Sequence, residues 1–307
     1  MLAGHQKQWN FLKKKFESNN LSHAYLFAGT DQLGKKSLAK EFVRLINCLP
    51  VETEPENYPD VLIINQKNNK QEIEISQIRE VLNFLSYKPY YSYFKAVIID
   101  GAEKMNLEAQ NCLLKTLEEP KGKVILILIS SHPEILYSTI RSRCQIIKFN
   151  NVSQKDIESH LLKLGAKEKT GHTLALFSQG KPGRAVDLFL DSAKLEKEQK
   201  MLQELIKVVN SDFAEKFQYA KKIDTEGNDF KKVLEIFQRY LRHLLFSKTG
   251  IQDQGLKNYF PEAMGNFKNY TVPKIRQILN LSESIQKQIS LTNANPKLAL
   301  EILLMEM

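Results

Sequence analysis

Gly29, Gly34 and Lys35, in the stretch "GTDQLGKKS" from Gly29 to Ser37, fall at the G-x-x-x-x-G-K spacing of a phosphate-binding loop. In such a loop backbone N–H groups surround the phosphates, the lysine reaches the terminal ones, and a Ser or Thr hydroxyl beside it holds Mg²⁺. The first two requirements are met. Lys36 stands where the hydroxyl should be, and Ser37, one helical residue further, is turned away by roughly 100°. Asp31 also puts a carboxylate inside a loop built to receive anions. The residues leave two readings open: a site that still takes ATP or ADP, or a loop kept as a folding element.

Phosphate chemistry needs a second element, an apolar strand ending in carboxylates, one for the metal's water shell and the next to orient the attacking water. "AVIIDGAEK" supplies Asp100 and then Gly101; Glu103, two residues beyond, is expected on another heading. Loss of a general base costs about two to four orders of magnitude in rate. Lys36 and Gly101 are therefore two independent defects in one reaction. Arg143, between a helical stretch and the strand-like "QIIKF", reads from its surroundings alone as a residue that caps carbonyls or pairs with a nearby acid, and Arg141 as a surface arginine.

The elements that would position these residues alternate. "AYLFA", "DVLII", "KAVIID", "VILILISS" and "QIIKF" are apolar and strand-sized; between them lie helical patterns such as "KSLAKEFVRLIN", whose Leu38, Phe42, Leu45 and Ile46 share a face. That alternation predicts an α/β domain with a parallel sheet over residues 1–150. Strand signals then stop. A small helical domain is expected over 151–195 and a larger all-helical one over 196–307, where Asn295–Pro296 marks the start of a last helix. The aromatics of "YKPYYSYF" suit packing beside a core strand better than base stacking.

The 307 residues are 42% hydrophobic and 26% charged, the composition of a globular protein. No apolar stretch suits a signal peptide or a membrane span, which predicts a cytoplasmic location. Cys48, Cys112 and Cys144 are too widely spaced for a C-x-x-C pair, so neither a zinc site nor a disulfide framework is expected. The formal charge of +9 divides into +4 before residue 151 and +5 after it, with no basic tail. It suits diffuse attraction to a polyanion and equally a solvated lysine-rich surface.

The segment from Ala102 to Phe149 carries an ordered set of motifs: "NCLLKTLEEP", "SSHPEIL" and the "SRC" of Ser142, Arg143 and Cys144. It resembles the AAA+ clamp-loader subunits of bacterial DNA polymerase III, and within that family the delta-prime branch. "LSHAYLFAG", "SQGKPGRAVDL" and "NANPKLALEILL" extend the likeness over nearly the whole chain. A four-cysteine zinc insertion carried by many relatives is missing after "NCLP", so zinc is not implied.

The resemblance implies an AAA+ α/β domain, a small helical lid and a helical collar. It implies a pentameric ring with gamma/tau-type motor subunits and a delta-type subunit, which loads the sliding clamp onto primed DNA. Delta-prime-like members are generally not the motors; no cofactor is required of them, and their arginine in the SRC motif, here Arg143, reaches in trans into a neighbour's ATP site. Arg184 matches the sensor-two position, with a surface ion pair as its other reading. Ser130 or Ser131 takes the sensor-one place, or caps a turn. Cys144 reads as a packed apolar residue. Two enzyme readings compete: a gamma/tau-type motor with an unorthodox metal ligand, supported by Lys35, Asp100 and Arg184, and a small-substrate kinase, for which no acceptor pocket is visible.

Overall fold

The computed structural model describes residues 3–50, 53–66, 72–120, 122–225, 230–249, 270–291 and 295–307. Two compact units follow one another along the chain, Met1–Val186 and Asp187–Met307.

The first unit is built on five parallel strands, β1 (Ala24–Ala28), β2 (Val61–Ile64), β3 (Lys95–Asp100), β4 (Val124–Ser130) and β5 (Gln145–Lys148), in the order β2-β3-β4-β1-β5. All five segments are those that the apolar runs mark. Because strand side chains alternate between faces, each run of consecutive apolar residues feeds two cores. Leu26, Val97, Ile99, Leu126 and Leu128 pack on one face with Ile78 and Val81 of α3 (Ile75–Ser86), Leu113 of α4 (Leu107–Glu118) and Ile140 of α5 (Ser138–Arg143). Tyr25, Phe27, Ile98, Ile125 and Ile127 pack on the other with Leu12 of α1 (Gln6–Glu17) and Leu38, Phe42 and Ile46 of α2 (Lys35–Ile46). Each fully buried side chain of this size contributes about 1.5–3 kcal/mol, so the sheet is a stiff frame for the loops at its ends. Three helices close this region of the chain, α6 (Gln154–Lys163), α7 (Glu168–Phe177) and α8 (Pro182–Leu190).

The second unit is helical in its described residues: α9 (Ser192–Val209), α10 (Phe213–Thr225), α11 (Phe230–Lys248), α12 (Val272–Leu291) and α13 (Pro296–Met305). Its core gathers Leu205, Phe237, Tyr240, Leu241, Ile275, Ile278 and Leu303. Asn295 begins α13 as its sequence announces, accepting from the N–H groups of Lys297 and Leu298 ahead of Pro296. Asn293 and Ala294 of the same motif lie outside the described residues. Among the described residues, no helix is long and apolar enough to cross a membrane.

The expected packing of the aromatic loop holds for Phe94, which lies against the second of the sheet's cores, and fails for its tyrosines. Tyr87, Tyr90, Tyr91 and Tyr93 are between 62% and 76% exposed, so these rings do not fill a core. The loop is held from beneath instead. Asp60, fully buried at the start of β2, accepts from the backbone N–H groups of Tyr90, Tyr91 and Ser92 at 2.7–2.9 Å and pairs with Lys95 at 3.5 Å. With its backbone satisfied by one carboxylate, the loop keeps its shape without burying its rings.

Candidate functional site

In a parallel sheet ligands gather beyond the carboxyl ends of the strands. Here the ends of β1, β3 and β4 lie side by side, because β4 pairs with both β1 and β3. They bring together the Gly29–Ser37 loop, Asp100 and the Ser130–Ser131 pair.

Every residue of the loop's first half is tied down. Gly29 donates its N–H to the Ser130 carbonyl oxygen at 3.1 Å, and a Cβ in its place would stand 2.4 Å from the Phe149 carbonyl oxygen. Asp31 accepts from the Ser131 hydroxyl. Gln32 accepts from the Gly183 N–H at 2.8 Å, which joins the start of α8 to the loop. His5 donates from Nε2 to the Leu33 carbonyl oxygen at 2.8 Å, and burial lowers its pKa. Gly34 then takes a left-handed conformation and opens α2 with no side-chain cap.

Lys35 is 5% exposed and turns back on its own loop, donating to the carbonyl oxygens of Gly29 and, at 2.8 Å, Thr30. Burial pushes its pKa below the usual lysine value, against the opposing pull of Asp31, Glu103 and Asp100 and with the help of Lys181. Lys36 points at the end of β3, its Nζ 3.2 Å from Asp100 Oδ2. Ser37 is exposed on the first turn of α2, as expected of a residue rotated off the site.

Glu103 corrects an expectation. A left-handed Gly101 (φ 77°) and the turn Ala102–Lys104 swing it back, so that its Oε1 accepts from the Ser131 N–H at 3.2 Å, and its other oxygen is buried without a hydrogen bond. It shares the site that its spacing placed elsewhere. Ser130 is fully buried, its hydroxyl accepting from the His132 N–H at 3.2 Å as a turn cap does. Arg184 is 7% exposed, in the first turn of α8 beside Gly183, and so is not a surface residue.

The cradle and lysine of a phosphate site are present, but magnesium does not fit the residues around it. No hydroxyl follows Lys35, and the carboxylate that would face the metal already faces the ammonium of Lys36.

Arg143 lies at the other end of the sheet. It closes α5 just before β5, and β5 runs parallel to β1, with Gln145 beside Tyr25 and Lys148 beside Ala28. A strand of this length separates it from Gly29 by roughly 15 Å. Its guanidinium bonds to Glu118 at 2.9 Å and to the Thr139 carbonyl oxygen at 3.1 Å; both side chains of the ion pair are open to solvent, at 37% and 50%. Arg141 is half-buried, its Nε without a hydrogen bond. Cys144 is buried, and burial pushes its thiol up to about 12, the property of a packed residue rather than a nucleophile. Among the described residues no cluster of His, Cys, Asp and Glu could hold a metal.

Sequence reasoning named Lys36, Asp100 and Arg143 but missed two things. Glu103 was misplaced because a left-handed glycine redirects the chain, and Gly101 itself was the available signal. Asp60 was not singled out at all; a lone carboxylate before an apolar strand carries no motif.

Residues 4–153 match a family described as DNA polymerase III, delta subunit. The tau/gamma subunit of Haemophilus influenzae is 32% identical over 170 residues, 51% of this chain and 24% of that protein. The delta' subunit of Bacillus subtilis is 32% identical over 176 residues, 53% of each. This chain thus spans between a quarter and a half of the length of these relatives. A gamma subunit-related protein from Thermotoga maritima has the same fold, with a TM-score of 0.51, 21% identity and 97% of both chains covered. Over residues 4–153, just under half of the chain, this protein is thus similar to subunits of DNA polymerase III, and its five-stranded parallel sheet followed by helices has the AAA+ fold.

Proposed function

We propose that this chain is a delta-prime-type, non-motor subunit of a DNA polymerase III clamp loader. In this reading it assembles with gamma/tau-type motor subunits and a delta-type subunit, and it takes part in the cytoplasm in loading the sliding clamp onto primed DNA. It works as an AAA+ domain (1–150), a lid (151–195) and a collar (196–307), and it needs no cofactor of its own. Its chemical contribution is Arg143, lent to the ATP site of a neighbour.

The position of Arg143 carries the reading. It stands at the far end of the sheet from the chain's own loop, so any phosphate it serves belongs to another subunit. Its tether is weak as well. An exposed ion pair such as Arg143–Glu118 contributes about 0–1 kcal/mol, little enough to be given up for a phosphate. A fixed guanidinium on a transferring phosphoryl group is worth about 10³–10⁵ in rate. On the other side, Lys36 and Gly101 remove the metal ligand and the second carboxylate that a motor needs.

The test is Arg143→Ala in the assembled complex. Assembly should be unchanged, while ATP hydrolysis stimulated by DNA and clamp at the neighbouring site falls by about 10³ or more. Undiminished turnover would overturn the proposal. The alternative, a gamma/tau-type motor, draws support from Lys35, Asp100, Arg184 and the likeness to tau/gamma subunits. Magnesium-dependent ATP turnover by the isolated chain, abolished by Lys35→Ala, would favour it.

A further inference from the structure

Lys36 does more than leave a hydroxyl out. Its Nζ sits 3.2 Å from Asp100 Oδ2, so an ammonium lies between helix α2 and the end of β3. That is the space where a phosphate loop otherwise holds its divalent ion, between the hydroxyl and the strand carboxylate. Magnesium demands close to octahedral oxygen ligands and gives up its waters reluctantly. Here it would meet a positive charge within a few ångströms, on the strand carboxylate that would face it. Glu103 is turned toward β4, where its Oε1 accepts from the Ser131 N–H at 3.2 Å.

The rest of the site is balanced for the same arrangement. Lys35, Lys36 and Lys181 face Asp31, Asp100 and Glu103, so the positive charge that a metal would bring is already provided by side chains. Lys35 is held at the mouth by the Gly29 and Thr30 carbonyl oxygens, and an incoming phosphate can replace those bonds with stronger, charge-assisted ones.

We infer that Lys36 stands in for magnesium: the loop holds the terminal phosphate of a nucleoside diphosphate by ammonium groups alone, and a divalent ion has no place beside Asp100. The inference is independent of the role of Arg143, since it concerns this chain's own loop and is tested on the isolated chain.

The experiment titrates the full-length chain with a fluorescent ADP analogue, once in EDTA and once in excess MgCl₂. The two dissociation constants should agree within about twofold, because an ammonium on one stem replaces the metal without needing it. Lys36→Thr restores the hydroxyl and frees Asp100; its binding should become at least about tenfold tighter with magnesium than without, a gain of metal dependence that Asp100→Asn on the same background should reverse. Manganese binding followed by water-proton relaxation gives a second readout, with a site in Lys36→Thr and none in the natural chain. Lys36→Ser serves if the threonine variant misfolds by circular dichroism. Tenfold tightening of the natural chain by magnesium overturns the inference. So does an absence of ADP binding in both buffers, or a Lys36→Thr protein with no metal dependence.

Discussion

At the scale of single residues, the loop shows how much a few side chains decide. Gly29 is required by geometry rather than by nucleotide, since any Cβ there meets the carbonyl oxygen of Phe149, which continues β5, and that backbone cannot move without disturbing its bond to Ala28. Gly29→Ala should therefore destabilise the chain by about 2 kcal/mol, within the range of strain at special backbone positions, whether or not any nucleotide is bound. A chemical melt with and without ADP checks this: the same loss in both conditions is expected, and a loss seen only with ADP would mean that the glycine serves the ligand. What the sequence could tell at this scale was residue type against a known spacing, which is why Lys36 stood out. What it could not tell was partnership. Asp100 lies 64 positions from Lys36 in the chain, and their ion pair exists only because β3 and the start of α2 end at the same edge of the sheet.

At the scale of elements, the tyrosine loop before β3 depends on one buried carboxylate. Burial works against the charge of Asp60, but the N–H groups of Tyr90, Tyr91 and Ser92, together with Lys95, outweigh it and hold the pKa below the ordinary carboxylate value. A depressed folded pKa means stability that is fully present above the unfolded value of about 3.9 and is lost as pH falls through the lowered one. Asp60→Asn should cost about 3 kcal/mol at neutral pH, the low end for breaking a buried pair, because Lys95 keeps the Phe84 ring 4.1 Å away. Urea melts from pH 7 down to pH 2 test both parts: the difference between the two proteins should shrink below about pH 4, and a difference that stays constant to pH 2 would show that the charge is not what matters. The elements themselves were legible, since all five strands were marked by apolar runs bounded by polar turns. The exposed tyrosines were not. A ring beside a core strand reads as packing unless the buried acceptor that satisfies its backbone is known, and Asp60 is 30 residues from Tyr90.

At the scale of the whole molecule, the chain divides its packing as it divides its sequence. The two cores on the sheet use residues from Leu12 to Phe149, and the third core uses residues from Leu202 to Leu304. Among the described residues no side chain belongs to two of these cores. Multidomain chains of this kind open in cooperative units rather than all at once. Tyr240, fully buried in α11 at the centre of the helical core, is the place to test it. Tyr240→Ala removes a large aromatic side chain and should cost the unit 187–307 about 3–5 kcal/mol. In native-state hydrogen exchange, the amides of α11 and α12 should then exchange roughly two to four orders of magnitude faster, as that loss of free energy requires. The amides of β1 and β4 should keep their protection, and with them the geometry of Gly29, Asp100 and Arg143. Equal loss of protection in β1 would mean that the chain unfolds as one body. The unit 187–307 would then contribute to holding the site.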